Sequence, residues 1–458
     1  MTKSYFDAVD SHQLQHDFPL GDDFINGIAA ASRDQIRAVQ EQRFKQVVAR
    51  AWQIPFYQRL WGNVGLQPGD IAGLDDIGKI PVFDKADLMA SIEMAPPLGD
   101  FHGLDTAPDI RPIVHTTSGT TGAPQTLIYG PRSREIQNLM LARIYRLQGL
   151  GDSDVVHSVY GFGMINGGHY IREAILHWTK AILLPAGTGN ETPSVQQIAL
   201  MARFGVTWIL GFADYLKRLA AVAAEQGLTI GEDIAPRAIS CHLGLEDRDA
   251  LSALWGGAAV HDWYGVGDTG LIAGEGPDHD GLYVMEDAHY LEILDIDEQR
   301  PVAAGESGDM VTTVLFKDDL YPIIRFNTHD LSRYRLGQSS LGLSFERIDG
   351  FLGRSDNMVK LKGINIFPQA FAPILEEEPT FTGEFICRAW RDPSGREGMT
   401  VDVECGRPDD PQLIDRFQRL LQDRIGIGVD VVLRPQGALA PETGIESRQK
   451  PIRLIDLR

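Results

Sequence analysis

Hydrophobic positions change their spacing twice along the chain. In the first part Ile36, Val39, Phe44, Val47, Val48 and Ala51 recur near one helical face, which predicts a long amphipathic helix in a helical scaffold. From about residue 110, short apolar runs at 111–115, 155–159, 181–184, 207–210 and 238–243 alternate with helical stretches. That alternation predicts an α/β fold with a mainly parallel sheet covered by helices. Near Gly350 the pattern shifts again. Phe385, Cys387 and Ala389, then Val401, Val403 and Cys405, alternate as strands, and Leu413, Ile414, Phe417, Leu420 and Leu421 mark a helix ahead of a strand at 430–434. This tail is large enough for a small α+β domain. The expected division is an N-terminal domain over 1–355 and a C-terminal domain over 356–458.

Composition narrows the class. The 458 residues are 43% hydrophobic and 23% charged, as in ordinary globular proteins. The 42 Lys and Arg against 63 Asp and Glu give a net charge of −21, which repels nucleic acid and anionic lipid as general partners. Any phosphate ligand must then be caught locally. The polar N-terminus with early acids lacks the pattern of a secretory signal, and no stretch approaches the roughly 18 apolar residues of a membrane span. Cys241, Cys387 and Cys405 lack paired spacing and fit reduced thiols in a cytoplasmic enzyme.

The strongest local signal is Thr116-Thr117-Ser118-Gly119-Thr120-Thr121-Gly122, directly after the strand-like Ile113-Val114-His115. Small residues let backbone N–H groups turn toward an anion, and hydroxyls add donors without bulk. Ala123 stands where a Walker A loop would have lysine. A polar turn between strand and helix is the plain alternative.

Downstream come Tyr264-Gly265-Val266-Gly267-Asp268, Arg325-Phe326-Asn327-Thr328-His329-Asp330-Leu331, Gly353-Arg354-Ser355-Asp356-Asn357 and Lys450. In this order, with Ile80-Pro81-Val82-Phe83-Asp84-Lys85 and Tyr160-Gly161-Phe162-Gly163, the chain resembles the acyl-adenylate-forming enzymes. Within them it is similar to the phenylacetate-CoA ligase group.

The resemblance implies a large adenylate-forming domain, a small mobile C-terminal domain, and an AMP-forming acid–CoA ligase that uses ATP, Mg²⁺ and coenzyme A. It places Thr117, Ser118, Gly119, Thr120, Thr121 and Gly122 on the phosphates, with Thr121 also catalytic. Tyr264, Gly265, Asp262 and the segment Gly244-Leu245-Glu246 would surround the adenine, and Asp330 with Arg354 would hold the ribose. Asp268 stands where the family usually has a Mg²⁺-binding glutamate. A carboxylate one methylene shorter is expected to hold the metal directly or through water. Lys450 is the implied catalytic lysine of adenylation, Asp356 the hinge, and Lys362 with Gly363 the implied coenzyme A contact.

Tyr160, Phe162, Met164 and Gly168 offer flat apolar walls with space between them, which suits an aromatic carboxylate. A glycine-rich turn packed by its own aromatics is the competing reading, and His169 reads as structural. Cys241, His242, His261 and His279 invite a structural zinc reading, which their irregular spacing and single thiol disfavour. Two other functions remain open. One is an adenylating enzyme that passes its acyl group to an amine or carrier protein, or that adenylates a cofactor. The other is a silent nucleotide-binding regulator. The partners expected are small molecules and a second copy in a homodimer.

Overall fold

The computed structural model describes residues 4–107, 109–117, 124–356, 359–361, 364–392, 395–444 and 451–458. The chain divides into two compact units, one formed by Met1–Thr117 with Pro124–Phe351 and the other containing Leu352–Arg458. No helix among the described residues is long and apolar enough to cross a membrane.

The first unit begins with helices. Arg33–Ala51 starts at a capping box in which Ser32 and Gln35 satisfy each other's backbone N–H groups. Its buried face is Ile36, Phe44, Val47, Val48 and Ala51, together with Gln40 in place of the expected Val39. Gln40 tolerates burial because its amide donates to the Glu286 carbonyl at 3.0 Å.

A nine-stranded sheet follows. Its parallel half runs Ile182–Pro185, Val155–Ser158, Trp208–Phe212, Ala238–His242 and Ala259–Val266 in spatial order. Gly270–Glu275 and Leu282–Val284 extend it antiparallel from the last of these. The central strands are buried almost throughout, the polar Ser240, His261 and Asp262 included, as strands covered on both faces must be.

The apolar run at 111–115 departs from expectation. Its strand, Ile113–Thr116, pairs antiparallel with Thr126–Tyr129 in a separate two-stranded ribbon. A second apolar run lies so close in sequence that pairing with it costs little loop-closure entropy.

Beside the large sheet, His289–Leu294, Gly308–Val314 and Ile323–Ser332 form an antiparallel meander. Its register breaks where it matters. Asp309 faces Leu331 and Val311 faces Asn327, so Thr328, His329 and Asp330 together oppose Met310. Such a bulge re-aims side chains away from the ladder.

In the second unit, Phe381–Arg391 and Glu397–Cys405 pair antiparallel. Asp430–Arg434 and Leu454–Asp456 add in parallel on the two outer sides. The helix Pro411–Ile425 buries Leu413, Phe417 and Leu421 against Phe385, Cys387, Val401 and Val403. Gly426 ends it in the left-handed conformation at φ 80°. All three cysteines are buried and unbridged.

Candidate functional site

The stem of the hydroxyl-rich loop is closed from both sides. Thr117 N–H donates to the Gln125 carbonyl at 3.0 Å, and Gln125 N–H donates to Thr117 Oγ1 at 3.1 Å. Thr116 N–H also donates to the Met164 carbonyl at 2.7 Å, so the proposed acyl segment is tied to the same stem. Ser118, Gly119, Thr120, Thr121 and Gly122 lie outside the described residues.

Asp268 sits on the turn between Ala259–Val266 and Gly270–Glu275, beyond the C-terminal end of a parallel strand. In open α/β sheets this edge is where ligands bind. The turn is tight: a Cβ on Gly265 would stand 2.2 Å from the Gly270 carbonyl oxygen, so only glycine fits. The Asp268 side chain is buried, and its Oδ1 accepts from Gln125 Nε2 at 2.6 Å and from Tyr321 Oη at 2.7 Å. Lys317 Nζ donates to the Asp268 backbone carbonyl. Burial pushes the Asp268 carboxyl up from its ordinary value and the Lys317 ammonium down to about 8.

Sequence reasoning missed Gln125, Lys317 and Tyr321. The available signal was Lys317 itself, a charge set directly behind the apolar Val314-Leu315-Phe316, where only a paired cation is normally buried.

Asp262 lies inside the same strand. Its Oδ1 accepts from the backbone N–H of Leu243 at 2.9 Å and of Trp263 at 2.8 Å. Burial nonetheless raises its pKa to about 7. Leu243 leads into Gly244-Leu245-Glu246, where Gly244 adopts φ 61° and Glu246 pairs with Lys217 at 2.5 Å. Tyr264 is buried and reaches the bulge of the neighbouring meander, where its hydroxyl donates to Asp330 Oδ2 at 2.7 Å.

The bulge also joins two motifs far apart in sequence. Phe83 N–H donates to the Arg325 carbonyl and Asn327 N–H to the Phe83 carbonyl. His329 Nε2 stands 2.8 Å from Asp84 Oδ2 and its Nδ1 3.6 Å from Asp309 Oδ2. These two carboxylates, Asp309 foremost, raise the His329 pKa to about 10.

The acyl candidates do not line up on one face. Tyr160 is buried, with its hydroxyl turned inward to the Gly211 carbonyl at 2.9 Å and its ring against Phe212, His242 and Trp263. Gly168 is buried beside the backbone of Gly161. Phe162 packs edge-on to His169, and Met164 is 56% exposed. His169 Nε2 lies 2.7 Å from the Gly163 carbonyl, which fits its structural reading.

In the second unit, Arg354 and Asp356 form a two-pronged ion pair at 2.6 and 2.7 Å. Lys362, Gly363 and Lys450 lie outside the described residues. As for the histidines, the ligand atoms of His261, Glu275 and His279 come within 4.8 Å of one another. The Arg248 guanidinium already grips both Glu275 oxygens, at 2.7 and 2.8 Å, and supplies the positive charge there.

No family model matches the chain. A phenylacetate-coenzyme A ligase of Escherichia coli K12 is 28% identical to it, over 95% of this chain and 98% of its own length. A phenylacetate-coenzyme A ligase of Thermus thermophilus is 25% identical, over 93% of this chain and 97% of its own. In fold, the chain is similar to a 2-hydroxyisobutyryl-CoA ligase solved in the postadenylation state with R3-HIB-AMP. That likeness has a TM-score of 0.80 at 23% identity and covers 94% and 91% of the two chains. Likeness in sequence over nearly the whole length and likeness in fold therefore agree: the chain is similar to phenylacetate-coenzyme A ligases and shares the fold of a 2-hydroxyisobutyryl-CoA ligase.

Proposed function

We propose that the chain is an AMP-forming acid–CoA ligase acting on an aromatic carboxylate. In the first step a carboxylate oxygen attacks the α-phosphorus of ATP, the bond to the β-phosphate oxygen breaks, and pyrophosphate leaves. In the second, the coenzyme A thiolate attacks the acyl carbon, a thioester forms, and AMP leaves with the bond electrons. The first step builds charge on phosphate oxygens, so catalysis is mostly positioning and electrostatics.

The observation that carries this reading is the set of four side chains on one unit. Asp262, Tyr264 and Asp268 come from one strand and the turn after it, and Asp330 is held against Tyr264 by the meander's bulge. Asp262 keeps a second carboxylate oxygen for an amino group such as that of adenine, Asp330 suits adjacent ribose hydroxyls, and Asp268 suits a hard cation. The Asp268 carboxylate fits Mg²⁺ in its chemistry, because both hydrogen bonds fall on Oδ1 and Oδ2 accepts from none of the described residues. Bound there, Mg²⁺ would neutralise charge on the phosphates during pyrophosphate loss.

An aromatic acid is supported by the rings gathered near the ends of three neighbouring parallel strands. Phe212 stacks on His242 at 5.5 Å between ring centres, and His242 lies 3.8 Å from Trp263. Such flat apolar walls suit a planar ring. Thr121 and its loop neighbours on the phosphates, Arg354 at the ribose, Lys450 in adenylation, Asp356 as hinge and Lys362 with Gly363 at coenzyme A complete the reading by resemblance. So does a C-terminal domain from residue 356 that changes its placement between the steps.

The test is a panel of benzoates, arylacetates, hydroxycinnamates and short fatty acids, scored for acid-dependent AMP and thioester formation. Aromatic members should lead, with AMP release dependent on coenzyme A. Equal, background-level rates across the panel would overturn the reading.

A further inference from the structure

The turn carrying Asp268 is gripped from several directions, and the grip is lopsided. Tyr129 Oη donates to the Gly267 carbonyl at 2.6 Å. Lys317 Nζ donates to the Asp268 carbonyl and stands over the rings of Tyr129 and Tyr321, at 4.8 and 4.4 Å from their centres. Tyr321 and Gln125 then both donate to one carboxylate oxygen, Oδ1. Two donors on a single oxygen fix the rotation of the carboxylate, and the lysine fixes the peptide that bears it. What is left for a ligand is Oδ2.

Lys317 and Tyr321 are themselves almost wholly buried. A buried ammonium is costly unless its surroundings compensate it. Here the compensation is the Asp268 carbonyl oxygen, two aromatic faces and the negative charge of the Asp268 and Asp319 carboxylates, most of it belonging to the frame of this one turn. An apolar side chain would fill the same space, so packing alone does not account for a charge at position 317.

We propose that Lys317 and Tyr321 are positioning residues for the divalent cation of adenylation, holding Asp268 so that Oδ2 alone is presented to the cation or to its water. The proposal rests on the adenylation reading above. An aspartate reaches less far than a glutamate, so its orientation has less room for error. Gln125 links the same carboxylate to the stem of the hydroxyl-rich loop, because its backbone closes that stem with Thr117.

The test is the dependence on Mg²⁺, and separately on Mn²⁺, of equilibrium binding of a fluorescent ATP analogue to the full-length chain. No acid is added, so no turnover is needed. Wild type, Tyr321→Phe, Lys317→Met, Asp268→Asn and the two double variants with Asp268→Asn are compared. Tyr321→Phe keeps the ring under the lysine and removes only the hydroxyl, so it remains informative if Lys317→Met fails to fold.

Partners behind a metal ligand typically change affinity by 10- to 100-fold, so the half-saturating cation concentration should rise about 10-fold in each single variant. Nucleotide binding without cation should stay within about 2-fold of wild type, a pattern that a merely structural role would not produce. In the Asp268→Asn background the same substitutions should add less than about 2-fold, since residues that act through one group are not additive. A folded Tyr321→Phe variant with a wild-type midpoint, or shifts that multiply fully on Asp268→Asn, would overturn the proposal. Wild type that binds no nucleotide at any cation concentration would overturn the adenylation reading along with it, and is recognised because the unmodified chain is itself silent.

Discussion

The hydroxyl of Tyr264 donates to Asp330 Oδ2 over 2.7 Å, with the hydroxyl oxygen of Thr328 3.1 Å away. One strand of the large sheet thereby aims a carboxylate that the neighbouring meander carries on its bulge. Tyr264 thus does more than offer a ring face.

Tyr264→Phe keeps that ring and deletes the donor. A hydrogen bond to a charged acceptor is worth about 1.5–3 kcal/mol, so the Kd for ATP should rise by about 10- to 150-fold. Equilibrium binding of an ATP analogue measures this directly. An unchanged Kd, with the variant folded, would mean that Asp330 needs no aiming or does not meet the nucleotide.

His329 supplies a pH dependence. It projects from the same bulge at φ 56° toward Asp84 and Asp309. Its folded pKa of about 10 lies above the ordinary histidine value, so the charged form favours folding. That stabilisation is fully present below about pH 6.5 and drains away as pH rises toward 10. At the acid end it is bounded by Asp84, whose carboxyl the His329 hydrogen bond holds below the ordinary range. His329→Asn should therefore cost roughly 1–2 kcal/mol near pH 6, after allowance for partial exposure, and much less at pH 10. Asparagine tolerates the left-handed backbone, so the difference reports on charge. Chemical denaturation at both pH values decides it: a gap that stays constant or widens with pH would remove the ion pair from the account.

Lys450 carries the largest expected effect on turnover. Although it lies outside the described residues, the chain on either side of its segment is tied together. Ile452 N–H donates to the Thr443 carbonyl at 2.9 Å, and Leu454–Asp456 pairs with Phe381–Arg391. Losing one transition-state donor typically costs about 10²- to 10³-fold, or roughly 3–4 kcal/mol, so Lys450→Ala should lower acid-dependent pyrophosphate exchange by that factor. Thioester formation from a presupplied acyl-adenylate should be spared. Loss of both half-reactions would indicate misfolding, and equal exchange would take the lysine out of the mechanism.

What could be read before folding differs sharply between elements. The parallel strands at 155–158, 208–212 and 238–242 were legible because strands buried on both faces leave short, mostly apolar runs between helical stretches. The run at 111–115 looked the same, yet it pairs in a local ribbon, since an apolar run carries no sign of its partner. Leu454–Asp456 was not recognised as a strand because three residues on an outer edge have no period to detect. At the candidate site, Asp268, Tyr264 and Asp330 were singled out through ordered motifs. Gln125, Lys317 and Tyr321 were not, because they meet Asp268 from 143, 49 and 53 positions away, and such contacts exist only in three dimensions. The bulge at Thr328–Asp330 was hidden for the same reason: register belongs to a pair of strands and not to either sequence.

Gly168 tests the acyl segment from the backbone outward. It lies in the first turn of the helix Asn166–Trp178, where an added Cβ would meet the Gly161 carbonyl oxygen at 2.2 Å and the Tyr160 carbonyl oxygen at 2.8 Å. Backbone oxygens cannot swing aside as a side chain can, so Gly168→Ala must push the 160–163 segment outward or shift the helix. Overpacking of this kind typically costs about 1–3 kcal/mol. The displaced segment carries Phe162, while Asp262 and Asp330 belong to other strands and Asp268 to the turn after one of them. The expected signature is thus split: lower stability in denaturant and a raised KM for the acid, with the Kd for ATP within about 2-fold of wild type. Equal damage to acid and ATP recognition would place Gly168 in the general scaffold, and unchanged acid KM in a folded variant would separate this segment from the acid altogether.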